Sequence, residues 1–127
     1  MVVRIASRVL RIAGVLALTL GILQWIQVIG RLRDIHMLLG IIAVLALWVL
    51  GALITSTRGG TGLGIAAFVV GLIVIGFGWQ QQFILIGNLH WIIQVVHLLL
   101  GLLAIGMGEM IAARYKKSMV VATQKAE

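Results

Sequence analysis

An eight-residue phrase occurs twice in this chain: residues 36–43 read His-Met-Leu-Leu-Gly-Ile-Ile-Ala, and residues 97–104 read His-Leu-Leu-Leu-Gly-Leu-Leu-Ala. Each copy opens with a histidine inside a long apolar segment, where a titratable ring is costly and usually functional. In a helix, positions i, i+4 and i+7 share one face, so each histidine lies above a glycine and an alanine. The phrase therefore predicts two helices that each present an imidazole above a flat groove.

The composition of the chain indicates a lipid environment. Of the 127 residues, 62% are hydrophobic and 10% are charged, which does not describe an ordinary water-soluble domain. Residues 12–30, 35–57 and 59–108 carry no charged side chain. Because one span needs about 20 apolar residues, the last of these segments holds two spans, divided near Asn88. We therefore predict an integral membrane protein with four transmembrane helices.

The predicted architecture is an all-α, four-helix, up-down-up-down bundle that forms a single transmembrane domain over residues 1–127, because short loops place consecutive helices antiparallel and adjacent. The two histidine phrases lie 61 residues apart on the second and fourth spans, which run in the same direction. This spacing suggests a duplicated two-helix unit with a pseudo-twofold axis along the membrane normal. The predicted spans cover about 9–29, 35–56, 62–82 and 88–113.

The net charge of +7 is distributed unevenly across this topology. Arg31 and Arg33 fall on one side, and the other eight basic residues fall on the opposite side. The positive-inside rule then places both termini in the cytoplasm, and we expect a multi-pass protein of a prokaryotic inner membrane. The basic ends are expected to meet anionic lipid headgroups rather than nucleic acid. The eight residues are Arg4, Arg8, Arg11, Arg58, Arg114, Lys116, Lys117 and Lys125.

The paired histidines make a membrane-embedded haem the leading hypothesis for a cofactor. His36 and His97 would be its axial metal ligands, and Gly40 and Gly101 would leave room for the planar macrocycle. The chain contains no cysteine, so covalent c-type attachment is excluded and the haem would be b-type and non-covalent. The alternative is a neutral imidazole that is hydrogen-bonded within the bundle, with glycines that serve helix packing alone.

Polar residues near the predicted outer ends of the spans are further candidates. His90 lies about 10 Å from His97 on the same helix face, and could pair with His36, line a second cofactor site or hydrogen-bond a propionate. Gln94, one turn before His97, is a candidate for supporting the cofactor from behind the ligands. Gln24 and Gln27 are candidates for the same role.

The predicted first outer turn carries Arg31, Arg33 and Asp34, where haem propionates would emerge. An arginine that pairs with a carboxylate is one interpretation of these charges. The other is a solvated turn in which Asp34 serves as an anion at the start of a helix.

Glu109 is the only acidic residue inside a predicted span, about 18 Å deeper than His97. We expect it to lie near the cytoplasmic boundary and to pair with a basic residue such as Arg58 or Arg114. The functional alternative is a proton-uptake or quinone-side group, since a buried carboxylate in a membrane is often functional.

The segments His36-Met-Leu-Leu-Gly40 and Val96-His97-Leu-Leu-Leu-Gly101 resemble the histidine-bearing second and fourth helices in each four-helix half of haem A synthase. The resemblance covers about forty residues in two helices, and it implies that His36 and His97 are haem ligands. The chain departs from the family pattern in two ways. Arg33 stands where the family has a glutamate, and the cysteine pair often found outside is absent. These departures weaken the case for the hydroxylating chemistry of the family. They are compatible with haem binding.

No nucleophile elbow, zinc-protease motif or phosphate-binding loop occurs in the sequence, so whether the protein is an enzyme stays open. Two classes of function fit. The first is electron transfer or haem handling, as a module of a membrane redox complex. The second is an accessory subunit of a respiratory or photosynthetic complex, binding a (bacterio)chlorophyll or no cofactor. Both imply the lipid bilayer and other membrane subunits as partners.

Overall fold

The structure is a computed structural model that describes residues 1–27 and 32–124, and it confirms the predicted all-α bundle. Four helices are each long and apolar enough to cross a membrane, as expected of a multi-pass membrane protein. A short 3-10 helix, Gln81–Phe83, follows the third of them. The helices are α1 (Val2–Trp25), α2 (Arg33–Thr55), α3 (Thr61–Gln80) and α4 (His90–Gln124).

Two helices extend past the predicted spans. α1 begins at Val2, seven residues before the predicted start, and α4 continues to Gln124, eleven residues past the predicted end. The charged ends of an apolar run mark where hydrocarbon stops, whereas the helix itself continues through arginine, lysine, alanine and methionine, which favour it. At its other end α1 stops at Trp25, and residues 28 and 29 of the predicted span lie outside the described residues.

The helices alternate in direction around a core in one half of the bundle. We call the end where α1 begins and α4 ends the terminal end, and the opposite end the hairpin end. α2 packs against each of the other helices, while no Cα atom of α1 lies within 8 Å of a Cα atom of α3 over the described residues. The fully buried side chains that fill the terminal-end half are Leu10, Leu47, Leu50, Ile54 and Ile111.

The two hairpins repeat the same contact between a glycine and an imidazole. Adding 57 to a residue number in α1 gives its counterpart in the second hairpin, and adding 61 does so for α2. A Cβ atom built on Gly21 would lie 3.1 Å from Cε1 of His36. A Cβ atom on the counterpart Gly78 would lie 3.0 Å from Cε1 of His97. The predicted duplication is therefore visible in the packing of each hairpin.

A second pair of contacts relates the hairpins to each other. A Cβ atom on Gly14 of α1 would lie 2.7 Å from Cδ1 of Ile105 on α4. At the counterpart position, a Cβ atom on Gly71 of α3 would lie 2.8 Å from Cγ1 of Val44 on α2. Both interfaces come close at a glycine because small residues let helix backbones approach in lipid. The pseudo-twofold relation is thus also visible at these two contacts between the hairpins.

The expected pairing of Glu109 with a basic residue is confirmed, but the partner is Arg11, and the two suggested partners, Arg58 and Arg114, were wrong. Nη2 and Nε of Arg11 donate to the two carboxylate oxygens of Glu109 at 2.6 Å and 3.1 Å, so the pair is bidentate. α1 lies beside α4 and turns Arg11 toward it, whereas Arg114 donates instead to the carbonyl oxygen of Gly59 at 3.4 Å. The ion pair gives Glu109 a structural role, because it links α4 to α1.

An aromatic pair occupies the counterpart positions in the other half of the bundle. The residue offsets relate Arg11 to Phe68 and Glu109 to Trp48. The rings of Trp48 and Phe68 stack with centroids 5.6 Å apart and planes 23° apart. Nε1 of Trp48 also donates to the carbonyl oxygen of Phe68 at 3.3 Å. An ion pair therefore joins α1 to α4 where an aromatic pair joins α3 to α2.

We predict that Glu109→Leu lowers the melting temperature in detergent by no more than a few degrees, because the ion pair that it removes is exposed and exposed pairs stabilise a fold only weakly. The double variant Arg11→Phe, Glu109→Trp copies the aromatic pair of the other half and should recover most of this loss. Thermal unfolding followed by circular dichroism measures both. A double variant no more stable than Glu109→Leu would contradict the proposed equivalence of the two pairs.

Candidate functional site

A cavity of about 390 Å³ lies among the four helices in the hairpin-end half of the bundle. Its volume is in the range of small-molecule and cofactor sites, about 300 to 1,000 Å³. Of its 28 lining residues, 24 form 12 pairs related by the offsets of 57 and 61, so the cavity lies on the pseudo-twofold axis. The twelve members from the first half of the chain are Ala17, Leu18, Gly21, Ile22, Gln24, Trp25, Arg33, His36, Met37, Gly40, Ala43 and Val44.

The two histidines of the repeated phrase lie close together and both line this cavity. The ring centroids of His36 on α2 and His97 on α4 are 6.1 Å apart, and the ring planes make an angle of 64°. Both residues are half-buried. The structure therefore brings together the two residues that the sequence analysis had paired, and it does not pair His36 with His90 in this way.

The glycines against which the imidazoles rest had no predicted role. Gly21 lies on α1, the helix before that of His36, and Gly78 lies on α3, the helix before that of His97. A larger side chain at either glycine would clash with the imidazole ring of the histidine beside it. The sequence did contain a signal for them. In both hairpins a glycine is followed three residues later by a glutamine, first as Gly21 and Gln24 and then as Gly78 and Gln81. Which of the 16 glycines of the chain would meet an imidazole depends on how the helices are rotated.

The two imidazoles differ in their hydrogen bonding. Nδ1 of His36 lies 2.7 Å from the carbonyl oxygen of Ala17. Because a carbonyl can only accept, Nδ1 carries the proton and Nε2 keeps its lone pair. Nδ1 of His97 is buried and makes no hydrogen bond with any described residue. The ring of His97 instead stacks on Phe77, with centroids 6.1 Å apart and planes 10° apart.

Gly40 and Gly101 both line the cavity, but their surroundings differ. A Cβ atom on Gly40 would have no described atom within 4 Å, apart from its own helix backbone and chain neighbours. A Cβ atom on Gly101 would lie 3.1 Å from Cδ2 of Leu18. Gly40 therefore borders open space, while Gly101 borders the cavity and also packs against α1.

The hairpin end of the cavity is lined by polar side chains. Gln94 and His90 of α4 line it together with Gln24 and Arg33. Nδ1 of His90 lies 3.1 Å from the carbonyl oxygen of Ile84, which orients this ring toward the connection between α3 and α4. Nε2 of Gln24 is buried, and no described residue accepts a hydrogen bond from it. This end of the cavity thus offers hydrogen-bond donors.

Three other polar candidates do not contribute to the described cavity lining. Gln27 is exposed, and Asp34 lies in the first turn of α2, where an anion was expected at a helix start. Neither residue lines the cavity. Arg31 lies outside the described residues.

The described parts of the chain contain no group of three or more histidine, aspartate or glutamate side chains that could hold a metal ion. His36 and His97 therefore lie close together without a third histidine, aspartate or glutamate near enough, within those parts, to share a metal ion with them. Comparison of the chain with family models, curated proteins and solved structures gave no match. The assignment of a function accordingly depends on the geometry of the site.

Proposed function

We propose that this protein binds a non-covalent b-type haem between His36 and His97 in the membrane. Its function would be electron transfer or haem handling, as a module of a membrane redox complex. The observation that carries the proposal is the pair of imidazoles that lie close together in the cavity lining, with ring centroids 6.1 Å apart.

The spacing of the rings is suited to one shared metal ion. Imidazole nitrogens bind metal ions such as zinc at about 2 Å, so two imidazoles on one ion have centroids roughly 6 Å apart. Metal-ligating histidines usually donate their other N–H to a carbonyl or carboxylate, as His36 does to Ala17. Two protein ligands suit a haem, because the macrocycle supplies the other four nitrogens.

The rest of the lining is compatible with this group. A bound haem would supply one-electron chemistry, and the apolar walls around it would exclude water. The open space beside Gly40 would take part of the macrocycle. The donors at the hairpin end, including Gln24 and Arg33, would suit the acidic propionate edge.

We also propose that the terminal end faces the cytoplasm of a prokaryotic cell, because eight of the ten basic residues lie toward that end in the four-span topology. The resemblance of the two histidine segments to haem A synthase supports haem binding, and the departures from its pattern leave hydroxylation out of the proposal.

The orientation can be tested with single cysteines, since the natural chain has none. Ser56 in the connection between α2 and α3, and Asn88 in the connection between α3 and α4, are both exposed. We expect a membrane-impermeant maleimide added to intact cells to label Asn88→Cys and not Ser56→Cys. Labelling of Ser56→Cys alone would show that the protein has the opposite orientation in the membrane.

The ligands can be tested by the visible spectrum of the purified protein. We expect a reduced-minus-oxidised Soret and α band typical of low-spin haem. His36→Ala and His97→Ala should each abolish the low-spin spectrum, whereas His90→Ala should only shift the potential or the yield. A full low-spin spectrum in His97→Ala would refute the pairing. Far-red absorbance would indicate a bacteriochlorophyll protein, and a colourless sample would indicate an accessory subunit without a cofactor.

The space for the macrocycle can be tested at the two glycines of the repeated phrase. Gly40→Leu and Gly101→Leu should place a bulky side chain in the cavity and lower the haem content per folded protein, while circular dichroism shows the helices retained. Gly106→Leu is the matched control, because Gly106 is on α4, does not line the cavity and has open space around it. Full haem occupancy in both Gly40→Leu and Gly101→Leu would contradict the proposal.

A further inference from the structure

The two histidines are counterparts in the duplicated fold, but only one of them has a hydrogen bond at Nδ1. The carbonyl oxygen of Ala17 lies 2.7 Å from Nδ1 of His36. The counterpart of Ala17 in the second half is Val74, 57 residues later, which also lines the cavity. Neither its carbonyl oxygen nor any other described group accepts a hydrogen bond from Nδ1 of His97.

This hydrogen bond matters for a metal ligand. It holds the imidazole in the tautomer that leaves Nε2 free, fixes the direction of the ring and makes Nε2 a stronger donor to a metal. Loss of such an outer hydrogen bond typically lowers metal affinity by about 10- to 100-fold. His36 has this support, and His97 is without it among the described residues.

The packing around His97 does not replace the missing bond. Its ring lies against Gly78 and stacks on Phe77, whose ring offers no acceptor in the plane of the imidazole. Stacking limits the tilt of a ring but does not select which nitrogen carries the proton. A hydrogen bond at Nδ1 therefore fixes the tautomer of His36, whereas no described hydrogen bond fixes the tautomer of His97.

We propose that His36 is the permanent ligand of the site and His97 the exchangeable one. This inference rests on the proposed haem function and extends it. A small molecule with a lone pair, such as carbon monoxide or free imidazole, would replace His97 on its side of the macrocycle. One coordinate bond breaks as another forms, and the oxidation state of the metal does not change. The site would then bind a small ligand as well as relay electrons.

The first test uses the protein purified with its haem, reduced with dithionite and exposed to carbon monoxide. We expect the wild-type spectrum to change to that of a carbon monoxide adduct. His97→Ala should retain haem as a five-coordinate species that binds carbon monoxide faster, whereas His36→Ala should lower haem affinity by about 10- to 100-fold relative to His97→Ala. Gly106→Leu is the control and should behave as wild type, because Gly106 lies outside the cavity lining and has open space around it.

Two results of this test would overturn the proposal. One is equal haem loss in His36→Ala and His97→Ala, or a larger loss in His97→Ala. The other is a wild-type spectrum that saturating carbon monoxide leaves unchanged. Both results can occur in a protein that binds haem. Either one would therefore refute the proposal that His97 is exchangeable without refuting the proposed haem function. A wild-type protein that binds no haem would instead refute the proposed function and this proposal together.

The second test needs no haem. In cofactor-free protein with ¹⁵N-labelled histidine, His36 should be present as the single tautomer protonated at Nδ1. His97 should show the Nε2-protonated form or a mixture of both. Assignment uses His36→Ala and His97→Ala, each of which removes one set of signals. Two histidines that are both fully protonated at Nδ1 would overturn the proposal, whatever the haem experiments show.

Discussion

The close approach of a glycine to each imidazole decides where the two histidines of this protein lie. Helices in lipid gain no hydrophobic stabilisation from burying apolar side chains against each other, so close backbone approach at small residues holds them together. At Gly21 and Gly78 the space left by the absent side chain is taken by the edge of an imidazole. The same contact in both hairpins brings His36 and His97 to the same depth, where they meet on the pseudo-twofold axis.

Sequence patterns predicted the features of this fold that repeat along the chain. The uncharged segments predicted four helices, and the phrase at His36 and His97 predicted that these two residues form a pair, because a duplicated motif on parallel helices must recur at equivalent places. The partner of Glu109 and the glycines under the rings were missed. Both depend on which way a helix is turned toward its neighbour, and an apolar helix in lipid is hydrophobic on every face, so its sequence carries little sign of that rotation.

The two halves of the bundle place several counterpart residues in equivalent contacts and differ in their local chemistry. Where α1 meets α4 a charged pair forms the link, and where α3 meets α2 two aromatic rings do so. Where one imidazole has a carbonyl partner, the other has an aromatic neighbour. These differences make the two sides of a cavity on the axis inequivalent. A site built from a repeated unit can in this way hold two similar ligands with different strengths.

The two hairpins differ in length by four residues between the glycine and its histidine, because the offsets that relate them are 57 and 61. Gly21 and His36 are 15 residues apart, whereas Gly78 and His97 are 19 residues apart, yet each glycine touches its histidine. Four extra residues taken up within a helix would slide it by about 6 Å and separate the two groups. The second connection, where Leu85 and Gly87 adopt positive φ angles of 48° and 105°, is only two residues longer than the first, and α4 begins at His90, four residues before the counterpart of Arg33. The extra length therefore lies at the hairpin end, in the connection and the first turn of α4, and the contact between Gly78 and His97 is kept.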